Sequence, residues 1–159
     1  MVRNILMCAL LLAALGTACG PRYLPGTKVE ATEEREEVAA VVEQYRRAVE
    51  QRDNDAVRKL VSESYYENAS TTEDPSDDYD AEGLDKVLAE LKTTVKAVKY
   101  EITITAIDVL DDSAASVDYE YKAQYLYTVG EQDRWGTTSD KNRLSLRRES
   151  GAWRITAGL

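Results

Sequence analysis

The chain contains no histidine. That removes the commonest general base and the commonest metal ligand, together with every catalytic triad that turns on an imidazole. Phenylalanine is absent too, so aromatic packing falls mainly to ten tyrosines, whose hydroxyls need partners or water. Both cysteines, Cys8 and Cys19, lie at the extreme N-terminus, leaving the rest of the chain without a disulfide, a thiolate metal site or a thiol nucleophile. Positive charge is in deficit, with a formal net charge of −9, the wrong sign for a nucleic-acid footprint, and that partner class drops out. No cofactor motif is present. The 159 residues, 43% hydrophobic and 31% charged, otherwise have an ordinary globular composition with room for one domain.

Against these absences stands one distinctive stretch, Ala115 to Val129. Alternate residues read Val117, Tyr119, Tyr121, Ala123, Tyr125, Tyr127 and Val129 on one side. The other side reads Asp118, Glu120, Lys122, Gln124, Leu126 and Thr128. A period of two over such a length predicts a long strand, apolar and aromatic on one face and polar on the other. It should be the spine of an antiparallel sheet whose tyrosine face another layer covers.

The helices for that layer precede it. Val38, Val41, Val42, Tyr45, Ala48 and Val49 recur at helical spacing within Glu33 to Arg52, with glutamates crowding the first turn. Asp53 or Asn54 then caps a short second helix carrying Val57, Leu60 and Val61. Tyr65 and Tyr66 follow, expected to turn inward. Glu67 to Asp80 is acidic and reads as a solvated loop, since its carboxylates lack the spacing of a calcium-binding loop. Ala81 to Val95 predicts a third helix with Leu84, Val87, Leu88, Leu91 and Val95 on one face.

Three further strands are expected. In Lys99 to Leu110 the apolar phase switches between Ile102/Ile104 and Ile107/Val109, which implies a bulge near Ala106. Arg134 to Glu149 points Leu144 and Leu146 inward. Ser150-Gly151 turns it into Ala152 to Leu159, with Trp153 and Ile155 buried. Helices first and a bent antiparallel sheet after them make an α+β domain.

The N-terminus has a positive start at Arg3, an apolar run from Ile5 to Leu15, and Gly16-Thr17-Ala18 before Cys19. The run is too short for a permanent membrane span. The ending Leu15-Gly16-Thr17-Ala18-Cys19 resembles a bacterial lipoprotein signal, with the large apolar residue one place upstream of its usual position. The resemblance implies a signal peptide over residues 1–18 and a lipidated Cys19 on the extracytoplasmic side of the cell envelope. Gly20, where an Asp would favour inner-membrane retention, points to the outer membrane in a Gram-negative cell. The other reading is an ordinary secretory signal cut near Ala18. Residues 19–32, with Pro21, Pro25 and Gly26, read as a flexible tether.

Several local phrases also resemble the nuclear-transport-factor-2-like superfamily, which includes SnoaL-like cyclases and ketosteroid isomerases. Val42-Glu43-Gln44-Tyr45-Arg46-Arg47-Ala48, Arg52-Asp53-Asn54-Asp55 and Leu60-Val61-Ser62-Glu63-Ser64-Tyr65 look like its opening. Arg143-Leu144-Ser145-Leu146 and Glu149-Ser150-Gly151-Ala152-Trp153-Arg154-Ile155 look like its closing hairpin. The resemblance covers residues 33–159. It implies three helices packed in the concave face of a curved sheet, with a pocket at the open end.

In that frame the expected ligand-facing residues are Tyr45, Tyr65, Tyr66, Tyr119, Tyr121, Tyr125, Tyr127 and Asn142, with Trp153 covering them from the opposite side. They suit a small apolar or aromatic ligand. The tyrosines equally fill a core that has no phenylalanine. The isomerase template needs a carboxylate inside the cavity, and Asp140 is the sheet carboxylate in the inward phase, with Tyr121 or Tyr125 as donor; Arg148 shares that phase at the strand's other end. As a base at neutral pH, Asp140 would need its pKa raised about three units from about 3.9, roughly 4 kcal/mol. The balance points to a lipid-anchored binding domain rather than an enzyme. Members of the superfamily also dimerise through the convex sheet face, here Glu120, Lys122, Gln124, Leu126 and Thr128. The anchor has a direct check: Cys19→Ala should move the protein from the membrane fraction to the soluble one, and a variant still sedimenting with membranes would sink lipidation as the attachment.

Overall fold

The computed structural model describes residues 20–68 and 75–159. Cys8, Cys19 and the expected signal peptide lie outside these residues. Among the described residues, three helices and a four-stranded antiparallel sheet make up the domain. The helices are α1 (Glu33–Gln51), α2 (Asn54–Leu60) and α3 (Ala81–Thr94). A two-residue strand pair, β1 (Tyr66–Glu67) and β2 (Tyr79–Asp80), sits between α2 and α3. The main sheet is a meander of β3 (Val95–Leu110), β4 (Ala114–Val129), β5 (Gln132–Glu149) and β6 (Ala152–Ala157). No helix among the described residues is long and apolar enough to cross a membrane.

Each helix begins where a side-chain oxygen takes up a free backbone amide. Thr32 accepts from Arg35 N, Asp53 from Ala56 N and Asp80 from Gly83 N. Between α1 and α2 the chain turns through Arg52, held at φ +56° with its amide bonded to Val49 O. The inner stripe of α1, Val38, Val41, Val42, Tyr45 and Ala48, is buried. It lies on β3 and β4, whose inward residues include Tyr100, Ile107, Ala115, Val117 and Tyr119.

The phase switch in β3 is a bulge. Ile104 pairs with Tyr119 and Ala106 with Asp118, so Thr105 is the extra residue, its hydroxyl donating to Asp118 O at 3.0 Å. The bulge returns Ile107 and Val109 to the inner face after the change of parity. Both hairpins flanking the core use positive φ at two successive turn residues: Asp111 and Asp112 after β3, Ser150 and Gly151 after β5. That geometry matches the right-handed twist of the strands it joins. The chain just after α2 leans on the sheet edge, Val61 bridging Ile155 in parallel and Ser62 N donating to Ile155 O at 2.9 Å.

Two expectations need correction. The segment read as a flexible tether folds back from Arg22: Tyr23 bridges Glu30, Ala31 N donates to Arg22 O, and Leu24 and Val29 enter the core. Two apolar side chains at either end of a Pro25-Gly26 turn gain enough burial to dock a short hairpin. The segment Glu67 to Asp80 is not wholly a loop, because its ends pair as β1 and β2 and Pro75–Asp77 forms a 3₁₀ turn.

Charged side chains tie α1 to the sheet. Arg46 bonds Glu43 at 2.7 Å, Glu50 at 3.0 Å and the carbonyl of Tyr100 at 3.2 Å. The Arg46 hydrogen bond, helped by Arg47, holds the Glu43 carboxyl down at about 2. A depressed carboxyl stabilises the fold above its unfolded value near 4.5, and that contribution is lost as pH falls from there towards about 2. Because the Glu43 side chain is 43% exposed, solvent screens the effect to under about 1 kcal/mol. Glu43→Gln should therefore lower the melting temperature only slightly at pH 7 and not at all near pH 2. Melting curves showing equal loss at both pH values would contradict the pairing.

A tyrosine-walled cavity between α3 and the sheet

The helices do not fill the inner face of the sheet. Between α1, α2 and α3 on one side and β3 and β4 on the other lies a cavity of about 400 Å³. Its wall is mostly apolar: Ala48, Val49, Val57, Leu84, Leu88 and Val98 meet Tyr45, Tyr100, Tyr119, Tyr121 and Tyr125. Val87 and Leu91 also line it, yet they remain exposed, so the outer rim lies along α3.

The tyrosines form a connected aromatic wall. Tyr45 meets Tyr100 edge-on, with ring centres 5.9 Å apart and planes at 87°. Tyr100 lies 5.9 Å from Tyr121, which lies 6.2 Å from Tyr119. Alternation along β4 puts Tyr119 and Tyr121 on one face, and the β3 register sets Tyr100 opposite Ala123, whose small side chain leaves space. Burial pushes the phenols of Tyr45, Tyr100 and Tyr119 well above their ordinary pKa, so all three stay protonated at physiological pH. They act as neutral donors and acceptors. Tyr125 rests over Gly136, where an added Cβ would come within 2.7 Å of the ring; the glycine makes room for it.

Polar groups gather at two ends. Tyr79, Asn142 and Leu159 line one end, the Tyr79 hydroxyl donating to Leu159 O at 2.8 Å and Asn142 Nδ2 to Gly158 O at 3.2 Å. Arg52, Asn54 and Lys92 lie toward the other. Asn54 Nδ2 donates to Leu88 O at 2.7 Å, while Arg52 donates to Lys92 O at 2.5 Å and Lys96 O at 2.8 Å. No aspartate or glutamate is among the residues lining the cavity.

Of the residues singled out from sequence, Tyr45, Tyr119, Tyr121, Tyr125 and Asn142 share this lining. The others lie elsewhere. Tyr65 is buried but serves as a latch: its hydroxyl donates to Glu67 and accepts from Leu159 N, both at 3.2 Å. Tyr66 points outward and donates to Asp78. Tyr127 lies tilted against Tyr125, ring centres 5.6 Å apart, beyond the lining. Trp153 is buried away from the cavity, its ring under the Arg148 guanidinium at 4.6 Å and its indole N–H on Glu37.

Asp140 pairs with Tyr121 across the strands, so its phase is the inner one. It is nevertheless exposed and outside the cavity, because this stretch of β5 runs past the helices and nothing packs over it. Its carboxylate caps its neighbour, accepting from Lys141 N at 2.8 Å. Asp140→Asn should accordingly change stability by less than about 0.5 kcal/mol, as for other exposed sites. Chemical denaturation is the check, and a loss above 2 kcal/mol would mean the carboxylate is buried after all.

Sequence reasoning missed Tyr100, which shares the inward phase of Ile102 and Ile104 and was there to be found. It also missed Tyr79, placed in the acidic segment, and Arg52, read only as a helix-end charge.

Comparison with known proteins places this geometry. Residues 34–157 match the family model of the calcium/calmodulin dependent protein kinase II association domain. No curated protein matches the chain. Among solved structures, a candidate aromatic ring hydroxylase from Novosphingobium aromaticivorans is 17% identical with a TM-score of 0.67, covering 79% of this chain and 86% of that one. A ketosteroid isomerase-like protein from Erwinia carotovora atroseptica is 16% identical with a TM-score of 0.66, over 80% and 95%. A candidate association domain of the same kinase type from Xanthomonas campestris is 17% identical with a TM-score of 0.62, over 87% and 90%. Identities this low speak for fold alone, and the fold is the nuclear-transport-factor-2-like cone of three helices and a curved antiparallel sheet.

Proposed function

From the premise that this chain belongs to the calcium/calmodulin dependent protein kinase II association-domain family, we propose that it is a binding domain of the cell envelope. It would be anchored through lipid on Cys19 and take a small, flat, largely apolar ligand. One observation carries the reading: a cavity of about 400 Å³ whose wall is aliphatic and tyrosine-lined. Such a volume and polarity suit ligand burial, with a few hydroxyls and amides to fix orientation. The ketosteroid isomerase-like and hydroxylase-like neighbours carry a similar frame. An isomerase or cyclase reaction would require a base at the ligand. The lining offers tyrosines held protonated and no carboxylate side chain, so binding without chemistry is the function we favour.

A second reading, assembly through the outer sheet face, has its own support. Trp135 is 54% exposed there, paired across the strands with Leu126 and flanked by Lys99 at 5.6 Å from its ring. An exposed tryptophan ringed by polar residues is the composition of a contact patch, and the family's own description is of association.

Native mass spectrometry of protein taken from its own envelope would read retained ligand, oligomeric state and lipid mass together. In solution, 2-naphthalenemethanol is a fitting neutral probe. Ala123→Leu, which pushes a larger side chain into the cavity, should weaken that probe at least fivefold while leaving the melting temperature within a few degrees. A probe that binds neither protein, with no ligand retained natively, would overturn the cavity reading.

A further inference from the structure

The cavity's charge runs against that of the protein. The chain as a whole carries a formal net charge of −9. The cavity, by contrast, is lined by two cations, Arg52 and Lys92, and by no aspartate or glutamate. Among the described residues neither cation makes an ion pair.

Arg52 is the more telling of the two. Its guanidinium is half-buried and spends two nitrogens on backbone carbonyls, Lys92 O at 2.5 Å and Lys96 O at 2.8 Å. Its third nitrogen, Nε, is buried without a hydrogen-bond partner. Carbonyls satisfy donors but supply no countercharge. A guanidinium taken partly out of water with no carboxylate within ion-pair distance is an unfavourable arrangement when the cavity is empty. The backbone at Arg52 is itself in the left-handed region, φ +56°, a conformation that a residue other than glycine holds only where its surroundings fix it. Here the backbone bonds that close α1, Arg52 N to Val49 O and Asp53 N to Ala48 O, do the fixing, and the two side-chain bonds to carbonyls clamp the end of α1 to the junction of α3 and β3.

The two polar ends of the cavity also lie far apart. Tyr79 precedes α3 and Lys92 sits in its last turn, so most of a 14-residue helix, about 20 Å, separates them. Between the ends the wall is aliphatic and aromatic.

We infer that the ligand is an amphipathic carboxylate, an apolar or aromatic body with one anionic oxygen group seated against Arg52 and Lys92. The carboxylate supplies what Arg52 lacks, a countercharge in a partly desolvated place, and an acceptor for the terminal guanidinium hydrogens that the two carbonyls leave over. The body lies along Tyr100, Tyr121 and Leu88. This rests on the cavity being a ligand site, and it adds the ligand's charge and the end at which that charge sits.

A matched pair of probes decides it: 2-naphthoate and 2-naphthalenemethanol, alike in body and different in head group, titrated calorimetrically into the purified protein at pH 7 and low salt. The carboxylate should bind at least tenfold tighter than the alcohol, and the gap should shrink on raising salt. Arg52→Gln should remove most of the gap while leaving the alcohol within about threefold. Lys92→Gln, on an exposed side chain that leaves the fold untouched, should narrow it by a smaller factor. If the alcohol binds as well as the carboxylate in the wild-type protein, the inference fails and the cavity reading stands. If Arg52→Gln weakens both probes equally, the charge is structural and the inference fails likewise. If neither probe binds, both readings fall. The wild-type comparison holds even if the arginine variant does not fold.

Discussion

The structure depends on one contact, the stripe of α1 lying across the tyrosine-bearing face of β3 and β4. Val38, Val42, Tyr45 and Ala48 give the inner face of the sheet its main cover, with Val57 of α2 and Leu84 of α3 beside them. A strand sixteen residues long is too extended to stay flat under a helix, so β3 breaks phase at Thr105 and bends. The bend keeps Ile107 and Val109 in the core while Tyr100 and Ile102 follow a different direction. Where helix and sheet are close the interior is solid. Where they part, towards α3 and the far half of β4, they leave the cavity. The void is thus a geometric remainder of the curvature that makes the core possible.

That origin explains the composition of the wall. Side chains between a diverging helix and a bent sheet must be long enough to reach towards each other and still tolerate one open side. Tyrosine does this better than phenylalanine, since its ring packs and its hydroxyl finds a partner or water. The ten tyrosines and no phenylalanine of the sequence suit such a half-closed interior. The same divergence left β5 uncovered around Asp140, so a residue in the inner phase of the sheet ended in solvent.

Much of the frame could be read from sequence because it rests on periodicity. The stripe of α1, the parity of β4, the phase switch in β3 and the turn at Ser150-Gly151 are local patterns, and each appears in the structure. The candidate site was only half legible. Tyr119, Tyr121 and Tyr125 followed from alternation along one strand. Parity tells which face a residue occupies but not whether anything lies above it, and Asp140 and Tyr127 were lost to that difference. Arg52, Tyr79 and Leu159 reach the cavity through contacts between segments far apart in sequence, for which no local pattern exists. The hairpin from Arg22 to Ala31 was hidden by its composition, since Pro25 and Gly26 mark a tight turn as readily as a loose linker.

That hairpin bears on how the domain would sit in the cell. Its first hydrogen-bonded residue is Arg22, and Arg22 also pairs with Glu36 on α1 at 2.6 Å. Only two residues, Gly20 and Pro21, lie between it and Cys19, a reach of about 10 Å when extended. A lipid on Cys19 would then hold the domain on a short leash, with little freedom to wander from the bilayer or to turn its cavity through all directions. Whatever enters the cavity would then be met at the membrane surface, where amphipathic molecules collect.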